Sequence, residues 1–152
     1  MTTYAKLNEL TLKLKKSKYQ QASITTSKDG AQYARQFYYQ DIEIFESMFL
    51  ILLNKANMTI GYVKISAGGI TGTVADPRII AKYAVDSLAT SIILIHNHPS
   101  GNLKPSRADQ DLTAKIKTGL SYFDITVLDH IILAPDVCGS LSYYSFADEG
   151  IL

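Results

Sequence analysis

At 152 residues the chain is long enough for one domain with a sizeable core. With 47% apolar and 19% charged residues it falls among ordinary globular proteins, which excludes a disordered or collagen-like chain. A formal net charge of +1 offers no electrostatic case for direct nucleic-acid binding. Cys138 is the single cysteine, so there is no disulfide framework and no cysteine zinc site, and it reads as structural. The longest apolar run, residues 48–53, is far too short to span a bilayer, and no signal-like apolar segment follows the polar first residues. The expectation is a cytoplasmic protein with no membrane partner.

In chain order, Leu10-Thr11-Leu12-Lys13-Leu14 alternates like a short edge strand, which could also pair edge to edge with a second copy. Lys13, Lys15, Lys16 and Lys18 read as the solvated side of that strand or tail. A helix is expected from Ser27 as N-cap, with Tyr33, Ala34 and Phe37 on one face. Residues 1–40 are thus an edge strand and a helix leading into a domain over residues 41–152. Residues 45–53 read as the first core strand, apolar on both faces. Glu46 near its start shares a side with Met48, Leu50 and Leu52, while Asp41 and Glu43 lie just before it. A buried charge there needs a reason. Asn54-Lys55-Ala56-Asn57 turns the chain into a second strand over residues 59–66, and Gly68-Gly69 loosens it. Asp76-Pro77 starts a helix as N-cap and first residue, with Ile80, Tyr83, Ala84 and Leu88 as its buried stripe.

Residues 91–95 form a short β-branched run that reads as a buried strand and delivers His96 and His98 at its end. On an extended backbone, positions i and i+2 put both imidazoles on one side. Pro99, Ser100, Gly101 and Asn102 break the strand, and Ser106 opens a helix with Asp109 in its first turn. Ser106-Arg107-Ala108-Asp109 is also a capping-box variant, and that role is compatible with Asp109 turning one oxygen to a metal. Two imidazoles and one carboxylate supply three ligands, leaving the fourth position of a tetrahedral zinc open, as in catalytic sites. The helix is expected to reach about Tyr122, with Ala108, Leu112, Ile116 and Leu120 facing the core. Residues 125–133 form another apolar strand, interrupted by Asp129-His130, which read as a hydrogen-bonded structural pair rather than as support for a metal ligand. The last strand, residues 141–146, is aromatic-rich and reads as edge packing. The whole is one α/β domain, a mixed sheet with helices on its faces.

His96-Asn97-His98-Pro99-Ser100-Gly101 followed by Pro105-Ser106-Arg107-Ala108-Asp109 resembles the JAMM metalloprotease motif carried by RadC-type JAB/MPN domains. Asp76-Pro77-Arg78, Leu128-Asp129-His130-Ile131-Ile132 and Tyr144-Ser145-Phe146 belong to the same likeness, which covers roughly residues 40–150. The resemblance implies a cytidine-deaminase-like fold and one Zn²⁺ per chain on His96, His98 and Asp109. It implies Glu46 as general base, with Glu43 as the alternative one strand step away, and Ser106 as hydrogen-bond donor to an oxyanion. The reaction implied is hydrolysis of a peptide or isopeptide bond by zinc-activated water. RadC-type proteins carry a helix-hairpin-helix region ahead of this domain, for which residues 1–40 leave no room. Two rival enzyme classes fit less well: the adjacent His-Asn-His triplet lacks the spread of a nuclease motif, and a zinc deaminase would want cysteine ligands. The non-enzyme alternative is an interaction module of the same fold, associated with DNA repair or mobile-element biology.

Overall fold

The computed structural model describes residues 9–38, 42–68 and 75–152. Asp41 and Gly69 lie outside them. Among the described residues, five strands form one mixed sheet in the order β2-β1-β3-β4-β5. These are β1 (Ser47–Leu53), β2 (Thr59–Ala67), β3 (Ser91–Asn97), β4 (Thr126–Val137) and β5 (Ser140–Ser145). Only β3 and β4 run parallel, and the helix α3 (Arg107–Ser121) joins them, as parallel strands require a crossover. All seven residues of β1 and of β3 are buried, which is why residues 48–53 and 92–95 read as unbroken apolar runs.

Two apolar layers flank the sheet. On one face α1 (Ser27–Arg35) and the 3-10 turn Gln36–Tyr38 pack Ala31, Ala34 and Tyr38 against Phe49, Ile51, Ile93, Ile95 and Ile131. On the other, α2 (Pro77–Asp86) and α3 pack Ile80, Ala84, Ile116 and Leu120 against Met48, Leu50, Leu52, Ile92 and Leu94. The alternation of odd and even positions in β1 and β3 assigns each side chain to its layer. No helix among the described residues is long and apolar enough to cross a membrane.

Several local expectations need correction. Residues 10–14 form no strand, and Leu10 is 94% and Leu14 87% exposed. Among the described residues their alternation has no neighbouring strand to complete it, and the first pairing is the Ser23–Met58 bridge. The N-cap of α1 is Thr26, not Ser27, because Asp29 three residues on completes a reciprocal box with Thr26. The buried stripe of α2 is Ile80 and Ala84 alone. Tyr83 faces outward, and Leu88 falls beyond the helix end with φ +54°, 84% exposed. In α3 Ile116 and Leu120 are buried and Leu112 packs against the core as expected, but Ala108 is exposed, and Asp109 and Thr113 take the inward positions of the first turns. That rotation turns the first-turn carboxylate toward the end of β3. The hairpin between β4 and β5 turns on Cys138 and Gly139, both at positive φ, which a two-residue hairpin of this hand demands.

Candidate metal centre

His96 is the penultimate residue of β3, and His98 follows directly after it. The His98 amide donates to the Leu133 carbonyl at 2.8 Å, so the backbone stays extended past the strand end and the two imidazoles share a face. Their Nε2 atoms are 3.0 Å apart. The loop closed by Gly101, at φ +81°, brings the Asn102 carbonyl within 2.6 Å of His98 Nδ1. A carbonyl only accepts, so Nδ1–H donates and Nε2 keeps its lone pair.

Asp109 arrives from the other side on the first turn of α3, and its two oxygens divide the work. Oδ2 accepts from the Ser106 amide at 2.7 Å and from its hydroxyl at 2.6 Å, while Ser106 Oγ accepts from the Asp109 amide. Oδ1 lies 3.4 Å from His96 Nε2, and Oδ2 is 3.9 Å from His98 Nε2. Capping and ligation are therefore compatible, as the sequence reading held. One ligand atom from each of His96, His98 and Asp109 lies within 4.8 Å of the others. Zinc–ligand bonds of about 2.0–2.1 Å set ligand–ligand edges of about 3.3 Å in a tetrahedron, so this spacing and this nitrogen–oxygen donor set fit a zinc-sized ion. Burial pushes the His96 imidazole down to about 4, against the pull of the Asp109 carboxylate and with help from His98. The ring is thus neutral near pH 7, as a metal ligand must be.

The residues behind the cluster were not on the sequence-derived site. His130 is completely buried, and its Nε2 is 2.8 Å from His96 Nδ1. Its Nδ1 is 2.6 Å from the Thr113 hydroxyl, and the Phe146 ring stacks on it at 4.6 Å. Burial pushes His130 well below the usual imidazole value, with the nearby His96 and His98 adding to the effect. Asp129 and His130 are hydrogen-bonded as expected, the His130 amide donating to Asp129 Oδ1 at 2.7 Å, but the His130 ring also reaches His96, which the sequence reading set aside. The two side chains alternate across the strand: Asp129 also accepts from Ser145 Oγ and the Ala147 amide, while the His130 ring meets His96 on the opposite face. A polar pair interrupting an apolar strand was the available signal. Thr113 gave none.

Asn97, the middle residue of His-x-His, is buried and points away from the cluster. It accepts from the Ser47 amide at 2.8 Å and donates to the Ile42 and Phe45 carbonyls at 2.9 and 3.0 Å. These three bonds clamp the segment that carries Glu46. Met48 pairs with His96 in the β1–β3 register, and continuing that register places Glu46 opposite His98. Glu46 is half-buried just before β1, and its carbonyl accepts from the Gly68 amide at 2.8 Å. Glu43 sits in the exposed turn before it. A concavity of about 440 Å³ lies elsewhere, on the α1 face of the sheet between Ile24, Thr26, Leu128 and Asp129. It lies away from the histidine cluster.

Among known proteins, residues 24–151 match the RadC-like JAB domain. A UPF0758 protein of Flavobacterium johnsoniae is 44% identical over 106 residues, covering 70% of this chain and 44% of that relative. UPF0758 proteins of Porphyromonas gingivalis and Streptococcus gordonii are 41% and 42% identical over 107 and 104 residues. Those alignments cover 70% and 68% of this chain and 45% and 44% of the two relatives, so the chain spans under half the length of all three. The match takes in α1 and all five strands as well as the histidine cluster, and on that extent the chain belongs to the RadC-like JAB domain family.

Proposed function

We propose that the chain is a zinc-dependent metallohydrolase that cleaves an amide bond, as a metallopeptidase or isopeptidase. The observation that carries this reading is the convergence of His96 Nε2, His98 Nε2 and an Asp109 oxygen into one cluster. Zinc held there supplies Lewis acidity and a nucleophile from water at neutral pH. The rest falls to the chain's own residues. Glu46, carried on the segment that Asn97 clamps, takes the proton of the attacking water and returns it to the leaving amine. Ser106 holds the Asp109 carboxylate through its amide and hydroxyl. To serve an oxyanion as donor its hydroxyl must rotate off Oδ2, which is open to it because the residue is exposed. The partner is a peptide or an isopeptide-linked protein, reached in the cytoplasm.

The test is cleavage of a peptide library and of lysine-linked isopeptide substrates by the zinc-loaded chain. Hydrolysis that falls by 10²–10⁴-fold in Glu46→Gln with zinc still bound supports both the reaction and the base. Zinc-loaded protein that cleaves none of them would move the reading to the interaction module. A fall on Glu43→Gln instead would transfer the base to the preceding turn.

A further inference from the structure

Thr113 Oγ1 lies 2.6 Å from the carbonyl oxygen of Asp109, one helical turn back, and 2.6 Å from His130 Nδ1. A carbonyl has no hydrogen to give, so the contact with Asp109 uses the one hydroxyl proton that Thr113 has. His130 Nδ1 must then bring its own hydrogen to Thr113. A neutral imidazole carries one N–H, which leaves His130 Nε2 as a bare acceptor. His96 Nδ1 sits 2.8 Å from that atom and supplies the hydrogen between them. His96 Nε2 is therefore the lone-pair nitrogen, and it is the one facing His98 and Asp109. A single proton order runs from the backbone of α3 through two side chains into the cluster.

We infer that His130 and Thr113 are positioning residues that fix His96 as its Nδ1–H tautomer and so aim its Nε2 lone pair at the metal. The inference rests on reading the cluster as a metal site. Neither residue reaches the ion: their atoms lie behind His96, within the buried layer between β4 and α3. The relay has no slack. His130 is sealed by the stacked Phe146 ring, and Thr113 is tied to the same helix turn that carries Asp109. If Thr113 lost its hydroxyl, His130 would do better to place its hydrogen on Nε2 and donate to His96 Nδ1. That would force the His96 hydrogen onto Nε2, where the metal must bind. Outer partners of ligating histidines act on affinity in this way, at about 10–100-fold each.

The test pairs Thr113→Val and His130→Phe, which break the relay, with Thr113→Ser and His130→Gln, which restore a hydroxyl or an amide able to accept from His96 and donate to Thr113. Zinc affinity is read by competition with a chromogenic chelator. The histidine tautomers are read on metal-free, ¹⁵N-labelled protein by long-range ¹H–¹⁵N correlation. We expect an Nδ1–H His96 in the native chain and an Nε2–H His96 in Thr113→Val. Zinc affinity should fall about 10–100-fold in the first pair and recover in the second. Native zinc affinity unchanged in Thr113→Val and His130→Phe would overturn the relay while leaving the metal site standing. No zinc uptake by the native chain would overturn the metal site, and the metal-free tautomer of His96 would then decide the relay alone. Should His130→Phe fail to fold, Thr113→Val carries both readouts.

Discussion

His96, only 2% exposed and bonded to His130 at Nδ1, keeps its ring neutral down to about pH 4, whereas an unfolded imidazole titrates near 6.5. The folded value lies below the unfolded one, so the unfolded chain binds more protons between those limits. The contribution to stability is complete above about pH 6.5 and is lost as pH falls toward 4. Each tenfold change in proton affinity is worth about 1.4 kcal/mol, so the loss amounts to a few kcal/mol. Urea unfolding of metal-free protein from pH 7 to pH 4 should show that decline, and His96→Gln should make it shallower, the buried His130 supplying the remainder. An equally steep decline in the variant would assign the effect to other groups. Asn97 offers a second residue-scale expectation. Asn97→Ala strands the Ser47 amide and the Ile42 and Phe45 carbonyls, and buried groups left unpaired cost about 1–3 kcal/mol each. We expect a loss of about 3 kcal/mol or more in urea unfolding at pH 7, with Glu46 displaced. A change under about 0.5 kcal/mol would mean that this segment is held by other contacts.

Helix starts separate stability from chemistry. Thr26 and Ser106 close the same kind of capping box, with Asp29 and Asp109 respectively, but only the second box lies at the cluster. Thr26→Ala and Ser106→Ala should each cost about 1 kcal/mol of stability in urea unfolding. Zinc affinity should fall only in Ser106→Ala, because the hydroxyl it removes helps orient the Asp109 carboxylate. Equal zinc affinity in the two variants would reduce Ser106 to a cap. At this scale much was legible in the sequence. Asp76-Pro77, the Asn54–Asn57 turn and the His-x-His strand end each carry local chemistry that names the structure. What escaped were decisions made by packing. Ala108 is exposed and Thr113 buried against His130 in the structure, and periodicity alone does not distinguish the two faces. The alternating leucines at 10, 12 and 14 look like a strand, but a strand needs a neighbour and they have none among the described residues.

The molecule as a whole places its chemistry at one end of the sheet, where β3 stops, the βαβ crossover begins and the start of β1 arrives alongside. His96, His98 and Asp109 could be chosen from spacing because strand and helix geometry translate i, i+2 and first-turn positions directly into space. His130 and Asn97 could not, since one acts across the β3–β4 pairing and the other across β3 and the segment before β1. A ligand that binds only the folded chain stabilises it by mass action, about 2.7 kcal/mol at a hundredfold excess over the dissociation constant. The melting temperature should therefore rise with added zinc. The most direct measurement is bound zinc per chain in protein purified without a metal-affinity tag. We expect close to one zinc per native chain and almost none in His96→Ala or Asp109→Ala. Native protein that carries no zinc and takes up none at neutral pH would contradict the metal centre.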